Sequence, residues 1–174
     1  SKYLETGMPL TTKRLTVDGD IVKQPKNVEV IIGTPIEELF NFCGGLTEEP
    51  GKVLYGGPMM GTCVADLSQP ILKNNNAILA FSQERAKLPK ASNCIQCGRC
   101  VNACPMHLMP LYMHMYAEKR AWHELEGYNI MDCMECGSCN YICPARIHLV
   151  QSFRMAKFEI RGLAAKQKAK EGKA

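Results

Sequence analysis

Eight of the chain's ten cysteines occupy the run C-x2-C-x2-C-x3-C-P, which is written twice. The first copy is Cys94, Cys97, Cys100, Cys104 and Pro105; the second is Cys133, Cys136, Cys139, Cys143 and Pro144, displaced at every position by 39 residues. Thiolates separated by two-residue gaps on a tight loop turn their sulfurs and neighbouring amide N–H groups inward, which suits them to wrap a cubic iron–sulfur core. In two-cluster chains of this kind the fourth cysteine of each run ligates the other cluster. The spacing therefore predicts two [4Fe–4S] clusters, one on Cys94, Cys97, Cys100 and Cys143 and the other on Cys133, Cys136, Cys139 and Cys104. With every ligand position filled by cysteine, such centres move single electrons and perform no bond chemistry, so no catalytic residue is predicted.

Two other chemistries compete for these thiols. Structural zinc favours two well-separated pairs around a small tetrahedral ion and leaves the third cysteine of each run redundant. Disulfides belong to secreted chains, whereas no signal peptide precedes these residues and the close spacing suits metal in a reducing compartment. Iron–sulfur ligation uses all eight thiols and is the reading adopted.

Other residues invite weaker assignments. His107, His114, His123 and His148 are read as surface or hydrogen-bonded structural histidines, because cysteine already fills the ligand positions. Cys43 and Cys63 stand alone on apolar faces and read as buried core thiols. The loop Gly56-Gly57-Pro58-Met59-Met60-Gly61 is either a backbone brought close to a cofactor or partner, or a tight corner between strands. No Gly-Lys-Ser/Thr follows it, so it is not a phosphate-binding P-loop. From Arg154 onward seven Lys/Arg face only Glu159 and Glu171, a solvated helix end or a contact for an anionic membrane or acidic partner. The formal charge of +4 counts cysteines as neutral thiols. Eight ligating thiolates would lower it, so the basic excess is no argument for nucleic acid, and no aromatic-basic interleaving supports one.

The elements that must position the cysteines divide the chain in two. Lys13–Val17 alternates as a half-buried strand, Asp18-Gly19-Asp20 turns, and a second strand follows near 28–32. Thr34 as N-cap, Pro35 at the first helical position and Glu37 closing a capping box announce a helix ended by Gly44-Gly45. Its apolar stripe is Ile36, Leu39, Phe40 and Cys43. Strands are expected again at 52–55, 63–65 and 77–81, and 83–91 reads as a linker. The prediction is an α+β chain: a small β-grasp-like module over 1–83, then a mainly helical dicluster domain over 84–174. Within the second domain one helix is expected over 110–126, with Leu111, Met115, Trp122 and Leu125 as its stripe, and another from about Ile147 burying Leu149, Val150 and Phe153. Gly98 and Gly137 let the chain bend around each core, and Ile95, Val101, Met134 and Ile142 are expected to cover the cores. No apolar run approaches the ~20 residues of a membrane-spanning helix. Ser1–Leu10 carries no initiating methionine or capping signal, which suggests a fragment or a processed chain.

R-L-T-V-D-G, I-G-T-P and G-G-P-M-M-G, followed by the doubled cysteine run, resemble the C-terminal part of the RnfC family. Its members are subunits of the Rnf complex, an ion-translocating ferredoxin:NAD oxidoreductase of bacterial membranes. The resemblance covers nearly the whole chain; the cysteine runs are shared with many ferredoxins, and the G-G-P-M-M-G loop narrows the choice. It implies a soluble-ligand-binding β-grasp (SLBB) domain before the clusters. FMN and NAD are implied only for an upstream region absent here. Also implied are other subunits of a membrane redox complex and ferredoxin or flavin as electron partners, with a peripheral place on the cytoplasmic side of the plasma membrane. The chain would then be the relay of an oxidoreductase without a complete catalytic site of its own. Two alternatives stay open: the related cobalamin-reducing flavoprotein of propanediol-utilising compartments, and a redox-sensing or structural iron–sulfur module.

Overall fold

A computed structural model describes residues 2–171, and the chain parts into two compact units, one ending at Leu88 and the other beginning at Pro89. The boundary expected at residue 84 falls inside a short helix, α3 (Gln83–Ala86), whose N-terminus is capped by Ser82 accepting from the Arg85 N–H. The expected linker thus begins with an ordered turn. Ser82 N in turn donates to Asp20 Oδ1 at 3.2 Å, tying that turn to the first unit.

The first unit opens with α1 (Lys2–Thr6) and is built on five strands: β1 (Thr12–Asp18), β2 (Lys26–Ile31), β3 (Lys52–Tyr55), β4 (Thr62–Cys63) and β5 (Ala77–Phe81). Their order in the sheet is β2-β1-β5-β3-β4, with β1 parallel to β5 and every other pair antiparallel. Period-two alternation turns Leu15 and Val17 of β1 inward. There they join Val28, Val53, Ile78 and Ala80 in a core closed by Ile36, Leu39 and Phe40 of α2 (Ile36–Phe42) and by Cys43 at its end. Gly19 follows β1 with φ +135°, and an added Cβ would lie 1.8 Å from the Ala80 carbonyl oxygen, so only glycine allows this approach.

Two expectations about this unit are corrected. Thr34 does not cap α2: its hydroxyl donates to Ile31 O at 2.9 Å, and Pro35 takes the cap position with no side-chain bond. The orphan N–H groups of Ile36 and Glu37 are met instead by Gln69 O and Leu67 O, because the later chain runs past the helix end. Cys43 is fully buried as expected, but Cys63 is exposed, since β4 is a two-residue strand at the sheet edge.

The second unit repeats itself. A short helix α4 (Arg99–Asn102) and then α5 (Pro110–Glu118) follow the first cysteine loop; α7 (Ser138–Ile142) and α8 (Leu149–Glu171) follow the second. α4 packs on α7 and α5 on α8, so the copies face each other. Between them the expected single helix over 110–126 is two, α5 and α6 (Trp122–Gly127), because Arg120 takes φ +54° and breaks the helical path. The buried face of this segment is accordingly Pro110, Met113, Ala117 and Leu125, while Met115 is exposed. Leu149, Val150 and Phe153 of α8 are buried, with Ala156 and Ile160 continuing the stripe. Leu108, Ile130 and Cys139 complete this core.

Candidate metal centres

Each cysteine run begins as a loop bent by left-handed residues. Gln96 and Gly98 have φ +54° and +72°; Glu135 and Gly137, at the matching places of the second copy, have +57° and +84°. Only the glycines adopt this region without a Cβ penalty, so the loop imposes a local cost at Gln96 and Glu135 of about 1 kcal/mol each. The reversal starts α4 and α7 directly after the second cysteine of each run and carries the third cysteine on the helix, Cys100 and Cys139. The fourth cysteines, Cys104 and Cys143, close the helices.

The two halves then exchange cysteines. One cavity is lined by Cys94, Cys97, Cys100 and Cys143, of which Cys94 and Cys97 are exposed. The other is lined by Cys133, Cys136, Cys139 and Cys104. Repeat-related side chains complete both walls: Ile147 and Leu149 in the first stand where Leu108 and Pro110 stand in the second. Of the side chains expected to cover the cores, Ile95 lines the first cavity and Met134 the second, although both remain largely exposed. Val101 and Ile142 line neither. The cysteine runs and their flanks supply most of each wall, and the starts of α5 and α8 close it with Pro110, Met113, Val150 and Phe153 in one cavity and Leu111, His114 and Leu149 in the other.

The donor set and the space between the donors fit an iron–sulfur core. Among the described residues no three His, Cys, Asp or Glu side chains converge as ligands of a single ion. The cysteines stand instead around a space, as they must when each sulfur binds a separate iron of one core. Burial pushes the Cys139 thiol up to about 12, and neighbouring Cys133, Cys136 and Cys100 add to the rise. Cys100 is likewise raised by burial first and then by Cys143 and Cys94, and Cys133 by burial against the pull of Lys157. Crowded thiols that resist ionisation alone are stabilised as thiolates by a cationic core. α4 and α7, which carry Cys100 and Cys139, pack on one another, so the two cavities lie side by side. Backbone donors reach the sulfurs already: Gln96 N–H to Cys94 Sγ and Leu108 N–H to Cys104 Sγ, both at 3.4 Å. A Ser138 hydroxyl 3.4 Å from Cys136 Sγ holds that thiol below its ordinary value.

The walls of the two cavities differ in chemistry at one repeat-related position. Phe153 lines the second where His114, its counterpart 39 residues earlier, lines the first. Burial pushes the His114 imidazole down, with Glu118 pulling the other way. Ser152 Oγ donates to Leu149 O and lies 2.9 Å from His114 Nδ1, so His114 donates to Ser152 through Nδ1–H. His107, His123 and His148 are exposed. A second group without a signal in the sequence lies beside the other cavity. Lys157, buried on α8, donates to Cys133 O and, at 2.9 Å, to Glu135 Oε1; Arg154 Nε donates to Glu135 Oε2 at 2.9 Å. Sequence alone groups both cations with a solvated basic tail; two of its seven instead hold a cysteine loop. The Glu135 carboxyl, raised by burial and lowered more strongly by Lys157 and Arg154, sits below its usual range.

Comparison with known proteins places both units. Residues 14–62 match the SLBB domain, and residues 93–147 match the 4Fe-4S dicluster domain. The chain is 49% identical over 155 residues to the RnfC component of the Na(+)-translocating ferredoxin:NAD(+) oxidoreductase complex of Acetobacterium woodii, covering 89% of this chain and 35% of that protein. It is 46% identical over 171 residues to the proton-translocating counterpart of Clostridium ljungdahlii, covering 98% and 37%. The corresponding component of the ion-translocating oxidoreductase complex of Rhodobacter capsulatus is 46% identical over 154 residues, covering 87% and 29%. The chain thus spans about a third of the length of these relatives.

Proposed function

Since this chain belongs to the RnfC family of ion-translocating ferredoxin:NAD oxidoreductase complexes, we propose that it is an electron relay within such a complex. Cys94, Cys97, Cys100 and Cys143 would hold one [4Fe–4S] cluster and Cys133, Cys136, Cys139 and Cys104 the other. When bound, these groups accept and release electrons one at a time. The observation that carries the reading is the pair of adjoining cavities, each walled by four cysteines and apolar side chains. The chain's own contribution is to fix the sulfurs on left-handed loops, offer them backbone N–H groups and limit access of water.

Other subunits of the complex are its partners in this reading, with ferredoxin or flavin supplying and taking the electrons. Its place in this reading is a peripheral seat on the cytoplasmic side of the membrane; among the described residues no helix is long and apolar enough to cross one. The test is anaerobic reconstitution followed by iron and sulfide analysis and EPR of the reduced protein. About eight iron and eight labile sulfides per chain are expected; zinc in their place, or a stoichiometry near four, would sink the two-cluster relay.

A further inference from the structure

The repeat gives each side chain of the second copy a counterpart 39 residues earlier, which exposes what belongs to one copy alone. Glu135 corresponds to Gln96, Arg154 to Met115 and Lys157 to Glu118. The ionic group of Lys157, Arg154 and Glu135 therefore has no equivalent at the first site and is not needed to build the loop, since Gln96 takes the same left-handed conformation at φ +54°. Cations at the first site are of another kind: Arg99, which starts α4, is exposed, and Met115 and Glu118 are exposed as well.

Lys157 has a side chain only 6% exposed, and it reaches from α8 to the carbonyl oxygen of Cys133 itself. A buried ammonium is costly unless paired, and Glu135 pairs it. Arg154 takes the other oxygen of the same carboxylate, so two cations share one anion beside this cysteine loop. Reduction adds a negative charge to an iron–sulfur centre. A neighbouring positive charge shielded from water stabilises that charge, whereas a buried apolar wall such as Phe153 and Val150 opposes it.

We propose that Lys157, with Arg154, is a potential-setting residue for the centre held by Cys104, Cys133, Cys136 and Cys139, keeping its reduction potential above the value that its buried surroundings alone would give. Glu135 moderates that effect and fixes the ammonium against the Cys133 carbonyl. The inference rests on the relay reading above, and concerns the electrostatics of one centre.

The test is an EPR-monitored redox titration of the anaerobically reconstituted full chain. Cys94→Ser isolates the second centre, and Cys136→Ser isolates the first. In the Cys94→Ser background, Lys157→Met should shift the potential downward and Glu135→Gln should shift it upward. The double substitution Glu135→Gln/Lys157→Met leaves Arg154 as the cation and should return close to the starting value, while Lys157→Arg should preserve it. In the Cys136→Ser background the same substitutions should leave the first centre where it was. Loosened packing alone moves both single variants in one direction, so opposite signs distinguish charge from structure. Should Lys157→Met fail to fold, Arg154→Met, which also removes one cation from the group, should shift the potential downward and together with Glu135→Gln decides the matter. Unchanged potentials, shifts of the same sign, or equal shifts at both centres overturn the proposal while leaving the relay intact. Absence of any iron–sulfur signal in the unsubstituted chain overturns the relay and this inference together.

Discussion

Cys104 and Cys143 carry the most diagnostic chemistry, because each follows three cysteines of its own run yet lines the cavity of the other run. On the crossed assignment, Cys104→Ala should damage the centre shared with Cys133, Cys136 and Cys139 and leave the Cys94 centre in place. Cys143→Ala should do the reverse. EPR of the two variants beside Cys94→Ala and Cys133→Ala checks this; if Cys104→Ala shares its phenotype with Cys94→Ala, ligation is sequential. The expected crossing of the doubled run rests on the ligation habit of two-cluster chains; the run itself was legible in the sequence, because metal ligation demands fixed residue types at fixed spacing. His114 and Lys157 were not, since nothing local distinguishes a histidine or lysine on a helix from its exposed neighbours. Their surroundings arise only when α5 and α8 pack, bringing Lys157 to a loop 22 residues earlier in the chain.

Among the elements, strands and turns with strong local chemistry were legible. β5 (Ala77–Phe81) lies where the sequence places it, and Gly44 and Gly45 end α2 with φ +82° and +84°. The break between α5 and α6 was hidden because Arg120, like Gln96 and Glu135, adopts positive φ without a glycine to announce it. The missing Thr34 cap has a similar cause: the competing partners, Leu67 O and Gln69 O, arrive from a much later part of the chain. In the loop after β3, Gly61 N donates to Gly57 O at 2.7 Å, and a Cβ on Gly61 would meet that oxygen at 2.5 Å. Gly57, by contrast, has nothing within 4 Å of its would-be Cβ. Gly61→Ala should therefore cost about 1–3 kcal/mol and Gly57→Ala no more than about 0.5 kcal/mol. Denaturant unfolding of the first unit, followed by circular dichroism, measures both; equal costs would show that the tight corner does not govern this loop.

At the scale of the molecule, the two units differ in what holds them. Each has an apolar core of its own, but the cysteine loops of the second unit surround cavities that a metal core would fill, so the order of those loops depends on ligation. In apoprotein, limited proteolysis with mass spectrometry should find cleavage within 94–143 and a surviving fragment containing β1–β5; reconstitution should protect the second unit. Uniform resistance without iron would contradict this dependence. The proposed exchange of fourth cysteines would have a consequence for synthesis. A growing chain that has just passed Cys104 offers three thiols to one site and a single thiol to the other, and neither set is complete. The second set is completed at Cys139 and the first only at Cys143, four residues later. On the crossed assignment both centres would thus become loadable at almost the same moment of translation, and a product truncated before the second run would close neither of them.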